Sequence, residues 1–299
     1  MPSALHQLYV TAIPRLFESG ELVDVETERA GILDLQRRRP QGLPTWAVPR
    51  FARRFSVEEQ DAGGFPSYVI TPRGRRVRRT VVLLHGGAYV APIDALHVRY
   101  GLRLARRLGA RLVLPDYPLA PEHTWRDSHD QLVDLVAHWS AEPGGAILVG
   151  DSAGGGLALA VAQSVRDRGG PQPSRMVLLS PWADLTMSAP DTEDYDRRDP
   201  WLFLSKAHAY GRFWAGADEL DRYEVSPALG DLSGLPPTLL QFGGRELLTP
   251  TCRMLARRAP EAGWRLTALE EPGALHVYAL MPGLSEGRRA LRRAVEFCR

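Results

Sequence analysis

A serine flanked by glycines is the first group in this chain whose neighbours suggest chemistry. Gly150-Asp151-Ser152-Ala153-Gly154 satisfies the pattern G-x-S-x-G and stands between an apolar run and a helical pattern. In that setting the pattern predicts a strand-to-helix turn so tight that the serine takes a strained backbone conformation, with glycines on either side to avoid collisions. We therefore predict that Ser152 is an exposed nucleophile. The alternative is a glycine turn that only packs a helix on a strand.

A second glycine motif follows an earlier apolar run. His85, Gly86, Gly87 and Ala88 come directly after the residues "TVVLL". Acyl transfer requires backbone N–H groups that stabilise an oxyanion, and one of them comes from the residue after the nucleophile, here Ala153. We predict that the N–H groups of Gly87, Ala88 and Ala153 form this oxyanion hole, and that Gly86 permits the close approach of the backbone. An ordinary glycine turn is again the alternative.

Strands and helices must bring these motifs together. Two short runs around "DAGG" predict a hairpin within residues 51–72, and from residue 80 apolar runs alternate with helical patterns up to a last helix near 285–297. Such alternation requires crossover connections, and therefore a mainly parallel sheet that is buried on both faces. Residues 183–225 interrupt the alternation. A connection of that length predicts a lid or a binding insertion.

Three motifs taken together, "HGGAY", "DYPLAPEH" and "GDSAGG", resemble the bacterial hormone-sensitive-lipase-like family of α/β-hydrolases, from about residue 80 to the C-terminus. The resemblance implies an α/β-hydrolase fold, a mostly parallel eight-stranded sheet with helices on both faces and a helical cap. It also implies that residues 51–299 form the catalytic domain, and that residues 1–50 together with the insertion 183–225 form the cap over the site.

The serine needs an adjacent base to become nucleophilic, and the base needs a carboxylate to hold its tautomer. The chain order in this fold is serine, acid, histidine, and His276 follows the last predicted strand. It lies in "ALHVYAL", where the family usually has H-G-F. His85 and His123 belong to other motifs, and His208 precedes the acid. We therefore predict that His276 is the base.

Glu246 is the predicted acid. The resemblance implies an aspartate within D-P-L-x-D after the penultimate strand, and "GGRELLTPT" stands there, with Glu246 at the equivalent position. Either carboxylate can orient an imidazole, and some members of the family use glutamate. The second acidic residue of the family motif is missing, which leaves the support of this loop open. The other candidates for the acid are Asp231, Glu270 and Glu271.

Composition and charge limit the class of partner. The 299 residues carry a net charge of +2, too near balance to favour nucleic acid or a membrane surface. The two cysteines fit neither a disulfide framework nor a metal site, and the N-terminus lacks the pattern of a signal peptide. We expect a cytoplasmic protein that acts on a small molecule without a metal or an organic cofactor. The resemblance adds a homodimer, because family members often pair through edge strands or the final helix.

Aromatic residues beside the oxyanion motif and in the insertion suggest an apolar, partly covered pocket, although each ring taken alone is better explained by packing within the cap. Asp151 is interpreted as structural, with its carboxylate accepting hydrogen bonds from nearby backbone N–H groups. The aromatic residues are Tyr89, Trp201, Phe203, Phe213 and Trp214.

The resemblance implies hydrolysis of short-acyl carboxylic esters through an acyl-enzyme. One alternative is the removal of an acetyl group, from oxygen or nitrogen, on a secondary metabolite. Another is a housekeeping esterase with no dedicated substrate. An alternative of a different class is a small-molecule-binding protein, because the plant gibberellin receptors resemble this family but lack its catalytic histidine. The presence of His276 argues against that last reading.

Overall fold

The computed structural model describes residues 2–16, 20–38 and 42–299. Residues 1, 17–19 and 39–41, which belong to the predicted N-terminal part of the cap, lie outside the described residues. The strands, in chain order, are β1 (Phe55–Asp61), β2 (Pro66–Pro72), β3 (Arg79–Leu84), β4 (Ala110–Pro115), β5 (Ala146–Asp151), β6 (Arg175–Leu179), β7 (Thr238–Gly243) and β8 (Leu266–Glu271).

The helices alternate with these strands after the initial hairpin. They are α1 (Ala4–Leu16), α2 (Val25–Arg38), α3 (Phe51–Arg54), α4 (Ala95–Leu108), α5 (His129–Ala141), α6 (Ala153–Asp167), α7 (Thr192–Asp196), α8 (Leu204–Ala215), α9 (Thr249–Glu261) and α10 (Ser285–Phe297). Short 3-10 turns occur at Thr45–Ala47, Trp125–Asp127 and Pro227–Leu229.

All eight strands of the described residues join one sheet, in the order β1-β2-β4-β3-β5-β6-β7-β8. β2 pairs antiparallel with both β1 and β4, and every later pairing is parallel. The mostly parallel eight-stranded sheet implied by the sequence is therefore confirmed. Parallel pairing brings the carboxyl ends of β3, β5, β6 and β7 to the same edge of the sheet, which is where polar side chains from distant parts of the chain can meet.

The central strands are apolar because both faces of the sheet are covered. β5 is buried along its whole length, and side chains that point to opposite faces of the sheet enter two separate cores. One core includes Leu132 of α5 and Leu157 of α6. The other includes Val98 of α4, Leu291 of α10 and Ile13 of α1. Helices therefore lie on both faces, as predicted.

Two helices begin later than their sequence patterns indicate. The helical pattern of the sequence near residues 92–108 predicts a helix that in the structure begins at Ala95, because the side chain of Asp94 accepts hydrogen bonds from the N–H groups of Leu96 and His97 and so caps the helix. The pattern near residues 126–139 predicts a helix that begins at His129, after a separate 3-10 turn. Both differences are local and leave the topology unchanged.

The N-terminal segment and the insertion each add helices beside the edge formed by the carboxyl ends of the parallel strands. The buried ring of His6 on α1 accepts a hydrogen bond at Nε2 from the N–H of Leu275 (3.1 Å). The insertion contributes α7 and α8.

Among the described helices none is long and apolar enough to cross a membrane. Cys252 and Cys298 are both buried and free.

Candidate active site

The turn at Ser152 joins β5 to α6 under severe steric constraint. Ser152 has φ 51° and ψ −124°, a conformation that residues with a side chain rarely adopt. A Cβ atom on Gly150 would lie 2.1 Å from the carbonyl oxygen of Gly154, and one on Gly154 would lie 2.1 Å from the carbonyl oxygen of Leu84. The two glycines therefore provide the space that the pattern G-x-S-x-G predicts.

Ser152, His276 and Glu246 form one hydrogen-bonded line. The Nε2 atom of His276 lies 2.9 Å from Ser152 Oγ, and its Nδ1–H donates to Glu246 Oε2. The other carboxylate oxygen of Glu246 accepts hydrogen bonds from Ser180 Oγ (2.8 Å) and from the N–H of Gly243 (2.6 Å). Glu246 is fully buried, so these donors replace the water that its charge would otherwise need. The three residues come from the ends of different strands.

The protonated form of His276 is favoured by its surroundings. Burial opposes a charged imidazole, but the charge and hydrogen bond of Glu246, and the charges of Asp199 and Asp151, together raise the pKa of His276 above its usual value. A base that gains stability on protonation suits proton transfer from a hydroxyl group.

The predicted oxyanion loop has an unusual backbone. Gly87, Ala88 and Tyr89 have consecutive positive φ values of 116°, 53° and 63°. The N–H groups of Gly87 and Ala88 donate to no acceptor within the described part of the chain. A Cβ atom on Gly86 would lie 3.0 Å from Ser152 Cβ, so this loop touches the serine. Unpaired donors beside a nucleophile are what an oxyanion hole requires.

Ala153, the fourth residue predicted for the oxyanion hole, directly follows Ser152. It is the first residue of α6, and the N–H groups in the first turn of a helix have no partner within the helix. The positive end of the helix dipole adds to the attraction of a developing anion. Of the four residues predicted for the oxyanion hole, Ala153 therefore follows Ser152 directly and Gly86 approaches its Cβ atom, while Gly87 and Ala88 continue the loop from Gly86.

A buried network under the turn was not found by sequence reasoning. Asp151 accepts a hydrogen bond from the N–H of Gly86 (3.2 Å), as its structural interpretation expected. Its other oxygen lies 3.4 Å from His97 Nε2, and Asp94 Oδ1 lies 3.0 Å from His97 Nδ1. Burial opposes the charge on His97, but Asp151 and Asp94 raise the pKa of His97 to about 10. The ring of His97 thus lies between Asp94 and Asp151, and Asp151 in turn ties the serine turn to the oxyanion loop.

The other histidines considered from sequence lie elsewhere. The fully buried ring of His85 donates from Nδ1 to Gly86 O (2.8 Å) and stacks on Tyr117, and burial lowers the pKa of His85 to about 4. His85 is therefore neutral, and its hydrogen bond to Gly86 O helps to fix the backbone of the oxyanion loop. His123 is exposed and lies 3.9 Å from Asp127, and His208 is exposed on α8.

The alternative acids are engaged away from His276. Glu270 forms an ion pair with Arg253, and Glu271 forms one with Arg289. Asp231 accepts hydrogen bonds from Ser233 in a surface turn. In the described ranges no three His, Cys, Asp or Glu side chains are grouped so that they could hold a metal ion.

The aromatic residues of the predicted pocket have two different roles. Tyr89 and Trp214 are fully buried and stack with their ring centroids 4.4 Å apart, so this pair packs α8 of the insertion onto the predicted oxyanion loop. Trp201 is partly exposed and contacts the His276 ring edge to face, with the two ring centroids 5.8 Å apart. Phe203 and Phe213 are partly exposed. Trp201 is therefore the aromatic residue in direct contact with the hydrogen-bonded line.

The N-terminal helix α2 reaches the oxyanion loop through one amide. Gln36 Nε2 donates to the carbonyl oxygens of Val90 (2.7 Å) and Ala120 (2.8 Å). The N–H of Ala120 in turn donates to Tyr89 O (2.9 Å). Gln36 therefore joins the two segments that border the loop with positive φ values.

A second contact joins α2 to the insertion. Tyr210 on α8 donates its hydroxyl hydrogen to Glu28, and Lys206 forms an ion pair with the same carboxylate at 3.2 Å. These side chains are only partly exposed, so the contact is stronger than a pair in open solvent. The N-terminal segment and the insertion thus contact one another as well as the edge where the carboxyl ends of the parallel strands meet.

Comparisons with known proteins give a consistent picture. The family model described as an alpha/beta hydrolase fold matches residues 81–280. An acetyl-hydrolase of Streptomyces hygroscopicus is 36% identical over 231 residues, which cover 75% of this chain and 77% of that protein. An esterase of Acinetobacter venetianus is 31% identical over 183 residues, and the match covers 60% of each chain.

A solved structure is similar over nearly the whole chain. The crystal structure of an esterase from the bacterial hormone-sensitive lipase family superposes with a TM-score of 0.82 at 29% identity, covering all of this chain and 99% of that one. The resemblance that the three sequence motifs indicated is thereby confirmed.

Proposed function

The chain belongs to the alpha/beta hydrolase family, and from that premise we propose that it is a serine esterase that cleaves short-acyl carboxylic esters through an acyl-enzyme on Ser152. The similarity to an acetyl-hydrolase and to esterases supports the class of reaction. The roles of the individual residues follow from their contacts.

One observation carries the assignment of roles. Ser152 Oγ, the imidazole of His276 and the carboxylate of Glu246 are linked by consecutive hydrogen bonds, beside backbone N–H groups that have no acceptor among the described residues. A nucleophile, a base that it contacts, and a carboxylate that orients the base are the parts needed for acyl transfer. A binding protein on this fold needs none of them, so the non-catalytic alternative explains less.

Acylation begins when Ser152 Oγ attacks the ester carbonyl and its proton passes to His276 Nε2. Glu246 holds the Nδ1–H and stabilises the imidazolium that forms. The N–H groups of Gly87, Ala88 and Ala153 stabilise the negative charge on the carbonyl oxygen. When the intermediate collapses, the proton on Nε2 is transferred to the leaving alcohol oxygen, and the acyl group stays on Ser152.

Deacylation repeats these steps with water. His276 Nε2 takes a proton from a water molecule while the water oxygen attacks the acyl carbon. The same N–H groups stabilise the second oxyanion. Collapse breaks the bond to Ser152 Oγ, which receives the proton from His276. The products are the carboxylic acid and the free serine, and neither half-reaction requires an oxidant or a cofactor.

Replacement of Ser152 tests the proposal. We expect the wild-type protein to hydrolyse p-nitrophenyl acetate and butyrate, and Ser152→Ala to lower kcat by about 10⁴-fold or more because no nucleophile remains. Ser164, a buried serine of α6 outside the site, provides the matched control as Ser164→Ala. Steady-state rates for the three proteins decide the matter, and an active Ser152→Ala protein would overturn the proposal.

A second candidate within the same chemistry is the removal of acetyl groups. The 36% identity to an acetyl-hydrolase over three quarters of the chain favours it. A panel of acetyl, butyryl and longer esters of one alcohol, together with an acetamide of the matching amine, separates the candidates. A preference of kcat/KM for acetyl over butyryl supports the acetyl-hydrolase, and turnover of the amide extends it to N-acetyl groups.

We also propose that residues 1–50 and 183–225 together form the cap, and that the protein is a cytoplasmic homodimer. The contact of Glu28 with Tyr210 and Lys206 supports a joint cap. The buried, unpaired thiols of Cys252 and Cys298 support a reducing compartment. Sedimentation at micromolar concentration tests the dimer, and fractionation of the producing cells tests the compartment.

A further inference from the structure

A buried carboxylate of the insertion lies next to the acid loop. Asp199 stands between α7 and α8 and is 6% exposed. Its Oδ1 accepts hydrogen bonds from the N–H groups of Trp201 (2.8 Å) and Leu202 (3.1 Å). Its Oδ2 accepts one from the N–H of Leu247 at 2.7 Å, in the residue that directly follows Glu246. One side chain therefore spans from the insertion to the loop of the proposed acid.

The neighbouring residues reinforce this connection at two more points. Arg245 Nε donates to the carbonyl oxygen of Arg198 at 3.0 Å, so the acid loop is bonded to the insertion on both sides of Glu246. Trp201, whose N–H is held by Asp199, places its ring against the ring of His276. Asp199 thus fixes the backbone of the acid loop and also the residue that contacts the base.

The charge of Asp199 has no cation of its own. Within the described residues no Arg or Lys side chain forms an ion pair with it, and the basic residue beside it, Arg245, is bonded to a carbonyl oxygen instead. Burial raises the pKa of Asp199 to about 6, although three N–H donors and the charge of His276 oppose that rise. Above that pH the interior holds an anion that favours the protonated form of His276.

The carboxylates that act on His276 therefore number three in the described structure. Glu246 acts by contact, and Asp199 and Asp151 act through space. Asp151 is already paired with His97, whereas Asp199 forms no ion pair with any residue that the structure describes. Loss of the Asp199 charge consequently changes the electrostatic environment of the imidazole more selectively than loss of any other acidic group around it.

We propose that Asp199 is a positioning residue, which holds the Glu246 loop through the N–H of Leu247 and adds a negative charge that stabilises the imidazolium of His276. The insertion then takes part in proton transfer and does more than cover the pocket. This inference rests on the proposed function, because it assumes that His276 is the base. It also answers the question left by the missing second acid of the family motif, since the support of this loop comes from the insertion.

The test compares Asp199→Asn with Asp184→Asn. Asp184 is a fully buried aspartate of the same insertion that accepts hydrogen bonds from Thr186 and Ser188 and has no contact with the acid loop. We expect Asp199→Asn to lower kcat by about 10-fold, with KM within about 2-fold of wild type, because the acid loop is less well held. Removal of the charge lowers the pKa of His276, so the acid limb of the profile of kcat/KM against pH should move down by about half a pH unit.

The control separates this role from a merely structural one. Asp184→Asn should lower the thermal midpoint as much as Asp199→Asn and leave the pH limb unchanged. Asp199→Glu, which keeps the charge but displaces the carboxylate, should lower kcat and retain the wild-type limb. If the Asn variant does not fold, Asp199→Ser removes the charge and keeps one hydroxyl acceptor for the same comparison.

The outcomes distinguish this inference from the proposed function. An inactive wild type, or an active Ser152→Ala protein, overturns the function. An active wild type with an inactive Ser152→Ala protein, together with an unshifted pH limb in the neutral variants of Asp199, overturns the role of Asp199 alone.

Discussion

The serine turn and the proposed cap are held in place by different kinds of contact. The turn between β5 and α6 is fixed by backbone atoms, since Gly150 and Gly154 face carbonyl oxygens at distances that no side chain would allow. The cap is held by single side chains, among them Gln36, Glu28 and Asp199, each of which makes two or three hydrogen bonds or ion pairs. The geometry of the nucleophile is therefore insensitive to the cap, whereas the loops around the nucleophile depend on it.

Among the variants that compare the turn with the proposed cap, the largest effect is expected from one that disrupts the turn itself. In Gly154→Ala the added methyl group would lie 2.1 Å from Leu84 O and 2.4 Å from His85 O, both backbone atoms that cannot rotate away. We expect the free energy of unfolding to fall by about 3 kcal/mol and kcat to fall by at least about 100-fold, because α6 must move away from β3. Urea unfolding and esterase rates measure the two quantities. If Gly154→Ala kept the wild-type free energy of unfolding and the wild-type kcat, the turn would be less constrained than the cap.

An intermediate effect comes from the side chain that joins the cap to the oxyanion loop. Gln36→Met keeps the volume but removes both hydrogen bonds, to Val90 O and Ala120 O. We expect kcat to fall about 5- to 10-fold with little change in KM, since the oxyanion donors act in the transition state.

A variant on the same helix serves as the control for Gln36. Glu28→Gln weakens the attachment of α2 to α8 without touching the oxyanion loop, and it should change KM more than kcat. Equal effects of the two variants on kcat would mean that Gln36 only anchors the helix. Separate determination of kcat and KM on one ester decides this.

The smallest expected effect is a gain of stability in the cap. Gly31 lies in the exposed interior of α2, and a Cβ atom there meets nothing within 4 Å. Gly31→Ala should therefore stabilise the helix by about 0.5 to 1 kcal/mol and leave kcat unchanged. Local hydrogen exchange of α2 measures the gain. The same substitution is thus expected to be harmful in the turn and mildly favourable in the cap.

The sequence predicts those parts of the molecule whose determinants are local. The alternation of apolar runs predicts the parallel sheet, because each strand is buried on both faces. The glycines at 150 and 154 predict the turn, because their spacing is fixed by its geometry. Glu246 and His276 could be named because the order along the chain, together with the family resemblance, left few competitors.

Residues that act through distant contacts were missed for a physical reason. Asp199 and Gln36 bond to backbone groups 48 and 54 or more positions away, and nothing in their own neighbourhood in the sequence indicates those partners. His97 had a detectable local signal, because Asp94 three residues earlier is a typical helix N-cap. Its partnership with Asp151 depends on the pairing of β3 with β5, which a local pattern does not specify.

The stacked rings of Tyr89 and Trp214 limit how substrate can enter. Lifting α8 away from the oxyanion loop would expose two fully buried rings to water, at a cost of about 3 to 6 kcal/mol. At equilibrium the separated state is therefore populated by about one molecule in 10² to 10⁴. A substrate path that leaves these two rings stacked avoids that cost, whereas a path that separates them does not.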